Sequence, residues 1–324
     1  MSKLETIQEP IAREMEEFET FFRRSMKSDN LLLDKISHYI IRRKGKQMRP
    51  MFVFLSSKLC GGVTSSSYTA AAMIELLHTA TLVHDDVVDD AETRRGFFSI
   101  NALWKNKIAV LVGDYLLSRG LLMSIDASEF NLLRIVSHAV REMSEGELLQ
   151  QEKSRLLNIT EEDYFTIIRQ KTASLIAACC ESGASAAGAD SEQLARMKEF
   201  GTLVGLAFQI KDDLFDYGMG RNTGKATGID IAERKMTLPL IHTLTVADRS
   251  TARKLVQVVK NHNTSASHVR WLTNTVTEAG GIDYSRKKME ELRDRAIDLL
   301  MTFDAGEARE ALATLVHFTI NREK

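Results

Sequence analysis

The chain has 324 residues and a formal net charge of −1 at pH 7, with 43 lysines and arginines against 44 aspartates and glutamates. This balance creates no basic surface field, so we expect no nucleic-acid partner. The length allows one large core or two smaller ones, and only three prolines favour long helices over a turn-rich β architecture.

Helical periodicity dominates the predicted elements in chain order. It is clear in residues 11–24, 31–43, 68–91, 108–125 and 200–218. The last three of these segments are apolar around most of their circumference, as buried central helices are. Amphipathic helices continue through the C-terminal third, and no strand alternation or linker interrupts them. The patterns predict an all-α helical bundle in which residues 1–324 form a single domain.

The cysteines and the apolar segments indicate where the protein works. Cys60, Cys179 and Cys180 have no metal-ligand spacing and suit a reducing compartment as small buried residues. The first residues lack the apolar region of a signal peptide, and no run of about 18 apolar residues is present. We therefore expect a cytoplasmic protein without a transmembrane segment.

Two aspartate clusters of the same spacing end two of the apolar helices. They are Asp85, Asp86 and Asp89 in the first, and Asp212, Asp213 and Asp216 in the second. Residues three and four apart share a helix face, so each cluster directs its carboxylates into a small volume. Mg²⁺ is typically held by a few carboxylates together with substrate phosphates. One such cluster alone could be a solvated helix end, but the repeat predicts a site in which several Mg²⁺ ions bind a diphosphate.

Basic side chains near these helices are candidates for binding phosphate oxygens. They are Lys46, Arg49, Arg94, Arg95, Lys171, Lys225 and Lys235. Taken singly, each is more often an ordinary surface charge, but Lys171 precedes a stretch that reads as buried. The sequence has no Walker or G-x-G-x-x-G loop, zinc spacing or nucleophile motif. Mg²⁺, cations and apolar helices together indicate electrostatic chemistry on a substrate that is part diphosphate and part hydrocarbon.

From GKQMRP at 45–50 to its end, the chain resembles the trans-prenyl diphosphate synthases, or polyprenyl synthetases. The motifs in order are LVHDDVVDDAETRRG, AVLVGDYLLSR, GELLQ, KTASL, GLAFQIKDDLFDYG and GKATGIDIAERKMTLPLIH. The resemblance implies the all-α isoprenoid synthase fold around a central apolar cavity, usually in a homodimer. It also implies Mg²⁺-dependent head-to-tail condensation of isopentenyl diphosphate with an allylic diphosphate.

The resemblance further implies a role for each candidate residue. The Mg²⁺ ligands would be Asp85, Asp86, Asp89, Asp212 and Asp216, with Asp213 behind them. The allylic diphosphate would be held by Arg94, Lys171, Lys225 and Lys235. Isopentenyl diphosphate would be held by Gly45, Lys46, Arg49, His78 and Arg95. Catalysis would rest on Lys171, Thr172, Gln209, Asp85 and Asp212, with the oxygens of Thr172 and Gln209 stabilising an allylic carbocation. Arg234 stands where the family commonly has a glycine.

Two small residues, Ala80 and Thr81, bear on product length. They lie five and four positions before Asp85, where relatives that stop early carry an aromatic residue. Small side chains there favour a long product, hexaprenyl to decaprenyl, of the kind used for quinone side chains. The alternatives are a short-chain synthase making farnesyl or geranylgeranyl diphosphate, a subunit of a heteromeric synthase, and a terpene cyclase. Transient membrane contact during product release is compatible with the first interpretation.

Overall fold

A computed structural model describes residues 3–42, 45–94, 96–218 and 228–321. The helices are α1 Lys3–Gln8, α2 Ala12–Ser25, α3 Leu31–Arg42, α4 Met48–Leu59, α5 Ser65–Val88, α6 Ile100–Asp126, α7 Phe130–Leu156, α8 Glu161–Ile168, α9 Ser174–Ala186, α10 Ser191–Asp216, α11 Ile229–Ala232, α12 Leu238–Val246, α13 Arg249–Asn261, α14 Ala266–Glu278, α15 Gly281–Leu300 and α16 Glu307–Asn321. A 3₁₀ turn spans Glu9–Ile11, and a π-helical turn spans Arg169–Ala173. The all-α prediction is confirmed.

The β structure of the described ranges is limited to one short hairpin. Its strands are β1, Thr93–Arg94, and β2, Phe97–Phe98, which pair antiparallel with Thr93 opposite Phe98. The hairpin directly follows the first aspartate cluster. Ser99 then caps α6 by accepting a hydrogen bond from the backbone N–H of Ala102.

The chain forms two compact units. One contains residues 1–138, 178–198 and 304–312, and the other contains residues 139–177, 199–303 and 313–324. The single domain expected from the sequence stays a prediction.

In the first unit, α5 is buried around most of its circumference, as its apolar sequence predicts. Its N-terminus is capped by a pair in which the backbone N–H of Thr64 donates to Ser67 Oγ at 3.1 Å. Helix α6 packs along it, and Gly120 of α6 allows the close approach. A Cβ on Gly120 would lie 3.4 Å from Cγ of Leu77. The helix that carries the first aspartate cluster is therefore held firmly in the core of its unit.

Among the described residues, α6 alone is long and apolar enough to cross a membrane by length and composition, which the sequence analysis did not anticipate. Its most apolar 18 residues have a mean hydropathy of 1.6, and a third of them are buried. The core helix of a soluble protein meets the same criteria, and α6 packs against α5. The helix is thus weak evidence for a span, and the expected lack of a transmembrane segment stays a prediction.

In the second unit, glycines bring helices together around the π-helical turn. A Cβ on Gly205 of α10 would lie 2.4 Å from Cα of Ala173, and one on Gly146 of α7 would lie 2.9 Å from the backbone nitrogen of Lys171. Neither position has room for a side chain. The π-helical turn, which carries the KTA of the KTASL motif, is consequently packed between α7 and α10.

Candidate functional site

The first aspartate cluster lies at the C-terminal end of α5. Asp85 and Asp86 belong to the last turn, and Asp89 caps it with its backbone N–H on the Asp85 carbonyl at 2.8 Å. Asp86 is buried, whereas Asp85 and Asp89 are exposed. The C-terminal end of a helix carries partial negative charge, so three carboxylates there are unfavourable without a cation. The donor chemistry therefore fits a hard divalent ion such as Mg²⁺.

No group of three or more His, Cys, Asp or Glu side chains converges closely enough to hold a metal ion in the part of the chain that the structure describes. The assignment of individual aspartates as Mg²⁺ ligands stays a prediction.

The structure brings Arg49 and His78 into contact. These residues are 29 positions apart in the chain, and both were predicted to bind isopentenyl diphosphate. The guanidinium of Arg49, on α4, donates to Nε2 of His78, on α5. It also donates to Oε1 of Glu75 at 3.0 Å. Because arginine can only donate, His78 Nε2 is the acceptor in this contact. Glu75 was not anticipated; its position three residues before His78, on the same helix face, was the available signal.

Other residues predicted for either diphosphate lie close to α4 in the chain, in the hairpin, or outside the described ranges. Gly45 and Lys46 are exposed just before α4, and Gln47 at its N-cap has a left-handed backbone with φ of 51°. The backbone of Arg94 lies in β1. The side chain of Arg94, and all of Arg95 and Lys225, lie outside what the structure describes.

The second aspartate cluster ends α10, and Asp213 is its most buried member. Its Oδ2 accepts from the Tyr164 hydroxyl at 2.6 Å, and its Oδ1 accepts from Gln209 Nε2 at 2.8 Å. Gln209 Oε1 in turn accepts from the Thr172 hydroxyl at 2.7 Å. Thr172 and Gln209, predicted as a pair from distant motifs, thus touch directly.

Carboxyl groups of this cluster crowd one another. Burial, followed by the charge of Asp230, raises the pKa of Asp213 to about 7, against the hydrogen bonds from Tyr164 and Gln209. Burial and then the charge of Asp216 raise the pKa of Asp230 to about 6, while Lys235 opposes the shift. Burial also raises the pKa of Asp216. Burial is the largest cause of each shift, and a divalent cation bound here would favour the ionised carboxylates.

Asp216 contacts the N-terminus of the short helix α11, which follows the second cluster in the chain. Its two carboxylate oxygens accept the backbone N–H groups of Ile229 at 2.8 Å and of Asp230 at 3.2 Å. Asp216 therefore acts as a remote N-cap for α11. This observation adds a structural role for Asp216 to the predicted one as a metal ligand.

Lys235 follows the C-terminus of α11. Its backbone N–H bonds to the Asp230 carbonyl at 2.8 Å, and the N–H of Arg234 bonds to the Ile231 carbonyl at 3.0 Å. This pair of bonds is a Schellman motif. Burial disfavours the charge of Lys235, but the hydrogen bond and charge of Glu233, and the charge of Asp230, raise its pKa overall.

The other predicted lysine, Lys171, lies in the π-helical turn. Its ammonium pairs with the Glu147 carboxylate and lies 3.4 Å from Gln150 Oε1. Burial opposes the charge of Glu147, but the hydrogen bond and charge of Lys171 lower its pKa overall. Single π-turns inside helices frequently mark functional sites, because they displace side chains from the regular spiral. Glu147 and Gln150 belong to the quoted GELLQ motif, to which the sequence interpretation assigned no role.

Several of these side chains line one cavity in the second unit. Its lining consists of Gln150, Ser154, Ile159, Tyr164, Ile167, Ile168, Lys171, Thr172, Gln209, Asp213, Asp230, Lys235, Met236 and Thr237. The wall combines two lysines and two carboxyls with isoleucine side chains and the oxygens of Thr172 and Gln209. Such a wall suits a ligand with an anionic head and an apolar body.

The residues predicted to control product length lie on α5. Ala80 is 2% exposed, so protein atoms enclose its side chain. Thr81 is half-buried, and its hydroxyl donates to the His78 carbonyl at 2.8 Å. Their effect on product length stays a prediction.

Comparison with known proteins gives a consistent result. The family model for polyprenyl synthetase matches residues 30–276. The chain is 35% identical over 326 residues to octaprenyl diphosphate synthase of Escherichia coli K12, covering 99% of each chain. It is 36% identical over 300 residues to decaprenyl-diphosphate synthase of Dictyostelium discoideum, covering 92% of this chain and 64% of that one. The crystal structure of a decaprenyl diphosphate synthase from Rhodobacter capsulatus superposes with a TM-score of 0.93 at 32% identity, covering 99% of both chains.

Proposed function

The chain belongs to the polyprenyl synthetase family, and from this premise we propose that it makes a long-chain all-trans polyprenyl diphosphate. The reaction adds isopentenyl diphosphate head-to-tail to an allylic diphosphate, so the enzyme is a prenyltransferase. The observation that carries this proposal is the cavity of the second unit, where Lys171 and Lys235 lie with the oxygens of Thr172 and Gln209 and with apolar isoleucines.

The residues around this cavity suit the ionisation of an allylic diphosphate. Lys171 and Lys235 would neutralise the departing diphosphate, which takes the electron pair of the breaking C–O bond. The oxygens of Thr172 and Gln209 would face the carbocation that remains. The alkene of isopentenyl diphosphate then forms the new C–C bond, and a proton passes to the released pyrophosphate.

Mg²⁺ fits the carboxylate-rich ends of α5 and α10. Bound ions would neutralise diphosphate charge, which is the chemistry that hard divalent cations supply to phosphate ligands. The residues that would hold them are Asp85, Asp86, Asp89, Asp212 and Asp216. Burial raises the pKa of Asp213 and of Asp216, and a bound cation would favour their ionised forms.

Isopentenyl diphosphate would bind at the group formed by Arg49, His78 and Glu75 in the first unit. Arg49 presents a planar fork that matches phosphate oxygens, and Glu75 fixes one arm of that fork. Gly45, Lys46 and Arg95 would complete this site.

Product length is the part of the proposal that a mutation tests directly. If the growing chain passes along α5, Ala80→Phe and Thr81→Phe should shorten the products of labelled isopentenyl diphosphate and an allylic primer. Filling the enclosed Ala80 position also strains the core by roughly 1–3 kcal/mol, so the half-buried Thr81 supplies the cleaner variant. Thr81→Val keeps the size and is the matched control. Unchanged hexaprenyl to decaprenyl products in both phenylalanine variants would contradict this role for α5.

The same assay separates the alternatives. A short-chain synthase would stop at farnesyl or geranylgeranyl diphosphate with the unaltered chain. A subunit of a heteromeric synthase would be inactive when purified alone. Products of hexaprenyl to decaprenyl length from the purified chain would support both the long-chain assignment and a role in supplying quinone side chains.

We further propose a homodimer in the cytoplasm. Beyond the kink at Lys105, helix α6 exposes apolar side chains at helical spacing, namely Val110, Leu111, Leu122 and Ile125. An exposed apolar face of this kind marks a protein or membrane contact, and a second copy of the chain would cover it. Sedimentation of the chain should show a dimer, and Leu111→Glu should shift it toward monomer. Membrane contact would then be confined to the transient release of product.

A further inference from the structure

Four side chains of the second unit form a single line of hydrogen bonds. The Thr172 hydroxyl donates to Gln209 Oε1 at 2.7 Å, Gln209 Nε2 donates to Asp213 Oδ1 at 2.8 Å, and the Tyr164 hydroxyl donates to Asp213 Oδ2 at 2.6 Å. Tyr164 and Asp213 are 3% and 5% exposed. All four side chains line the proposed allylic cavity.

The direction of these bonds follows from which atoms of Gln209 meet each neighbour. The amide nitrogen of Gln209 lies on Asp213 Oδ1 and donates to it. The carbonyl oxygen of Gln209 is then turned toward Thr172. Thr172 has a single hydroxyl hydrogen and donates it to that oxygen, which leaves only lone pairs on its Oγ1. The hydrogen of each bond in the line therefore points toward Asp213, away from the cavity side of the Thr172 oxygen.

Tyr164 holds the carboxylate in the orientation that this arrangement needs. Asp213 has one oxygen on Gln209, and the other would be a buried acceptor without Tyr164, which costs free energy. The bond from the Tyr164 phenol is 2.6 Å long and joins two buried side chains. Tyr164 thereby prevents rotation of the carboxylate away from Gln209.

We propose that Asp213, held by Tyr164, is a positioning residue that sets the hydrogen-bond direction of the Thr172–Gln209 pair, so that oxygen lone pairs face the position of the allylic carbocation. The inference rests on the proposed function. Oxygen dipoles stabilise a neighbouring cation, whereas an N–H or O–H hydrogen directed at it destabilises it. Asp213 thus acts on the cation-facing oxygens. The sequence had instead suggested a role for Asp213 behind the metal ligands.

Asp213→Asn tests the direction directly, because asparagine keeps the shape but offers an amide nitrogen to Gln209. Gln209 can then rotate its own nitrogen toward Thr172, and the line of hydrogens reverses. We expect the single-turnover rate of the first condensation to fall on the order of a hundredfold. The KM of each substrate and the Mg²⁺ concentration for half-maximal rate should change less than about threefold. A large rise in the Mg²⁺ requirement without loss of the saturated rate would overturn the proposal in favour of metal support.

Tyr164→Phe tests the holding role, with Tyr217→Phe as its matched control. Tyr217 is also a buried tyrosine of this unit, and its hydroxyl contacts Thr237 at 3.2 Å rather than Asp213. Tyr164→Phe should lower kcat on the order of tenfold, and Tyr217→Phe should leave it within about twofold. Melting temperatures of both variants show whether each folds normally.

A double variant distinguishes positioning from a general structural role. Once Gln209→Leu removes the amide, Tyr164 has nothing to position, so adding Tyr164→Phe should change kcat no further. A tenfold loss that persists in the Gln209→Leu background would refute the proposal. An unaltered chain that transfers no prenyl group to any primer would overturn the proposed function and this inference together. An active chain whose Asp213→Asn and Tyr164→Phe variants keep their kcat would overturn this inference alone.

Discussion

Arg234→Gly should stabilise the protein, because Arg234 occupies a backbone position that favours glycine. Its φ is 59°, in the left-handed region. Arg234 is the residue directly beyond the C-cap of α11 in the Schellman motif that precedes Lys235, and glycine is the usual residue there. A turn that usually has glycine at this position is therefore formed here by arginine at a conformational cost.

The magnitude follows from that geometry. Left-handed backbone costs an L-residue roughly 1–2 kcal/mol in the folded state. Glycine avoids this cost, but its greater freedom in the unfolded chain reduces the gain in stability by roughly 0.5–1 kcal/mol. The Arg234 side chain is exposed, so its removal alone changes stability by no more than about 0.5 kcal/mol. Arg234→Gly should raise the free energy of unfolding by about 0.5–1 kcal/mol, or the melting temperature by roughly 1–3 °C.

Differential scanning calorimetry of the two variants Arg234→Gly and Arg234→Ala checks this reasoning. Alanine removes the same side chain but keeps the Cβ that strains the left-handed backbone, so it should give no stabilisation. Activity should be retained in both, since the Lys235 backbone stays bonded to Asp230. Equal stabilisation by alanine and glycine would show that the side chain, rather than the backbone, sets the cost, and the argument from φ would fail.

Two further predictions concern the carboxyl cluster and the π-helical turn. The pKa values of Asp213 and Asp230 are raised from 3.8 to about 7 and about 6; their contribution to stability is thus full below pH 3.8 and is lost as pH rises through 6 to 7. With a chelator present, the melting temperature should fall across that pH interval, and it should fall less when Mg²⁺ is present. A pH profile that Mg²⁺ does not change would contradict the electrostatic repulsion between these carboxylates. Gly146→Ala places a Cβ 2.8 Å from Gln170 Cβ and 2.9 Å from the Lys171 nitrogen, so it should cost about 1–3 kcal/mol and lower kcat. Gly306→Ala, whose Cβ meets nothing within 4 Å, is the control, and equal behaviour of the two would refute the packing argument.

The contacts at the candidate sites were only partly readable from the sequence. Arg49 and His78 were assigned to one substrate from motif resemblance, and the structure joins them through a hydrogen bond. Tyr164 carried no sequence signal of its own, because a tyrosine on an amphipathic helix usually packs in a core. Its role depends on a partner 49 positions away.

The sequence by itself determined the helical architecture and the chemistry of the ligands, because helical periodicity and the D-D-x-x-D spacing are local properties of the chain. It also marked Arg234 as unusual. Only the tertiary structure decided which side chains meet. The cap from Asp216 to α11, the bond from Tyr164 to Asp213 and the packing of Gly146 against the π-helical turn all join residues distant in the chain. Such contacts arise from the packing of whole helices, which periodicity alone does not specify.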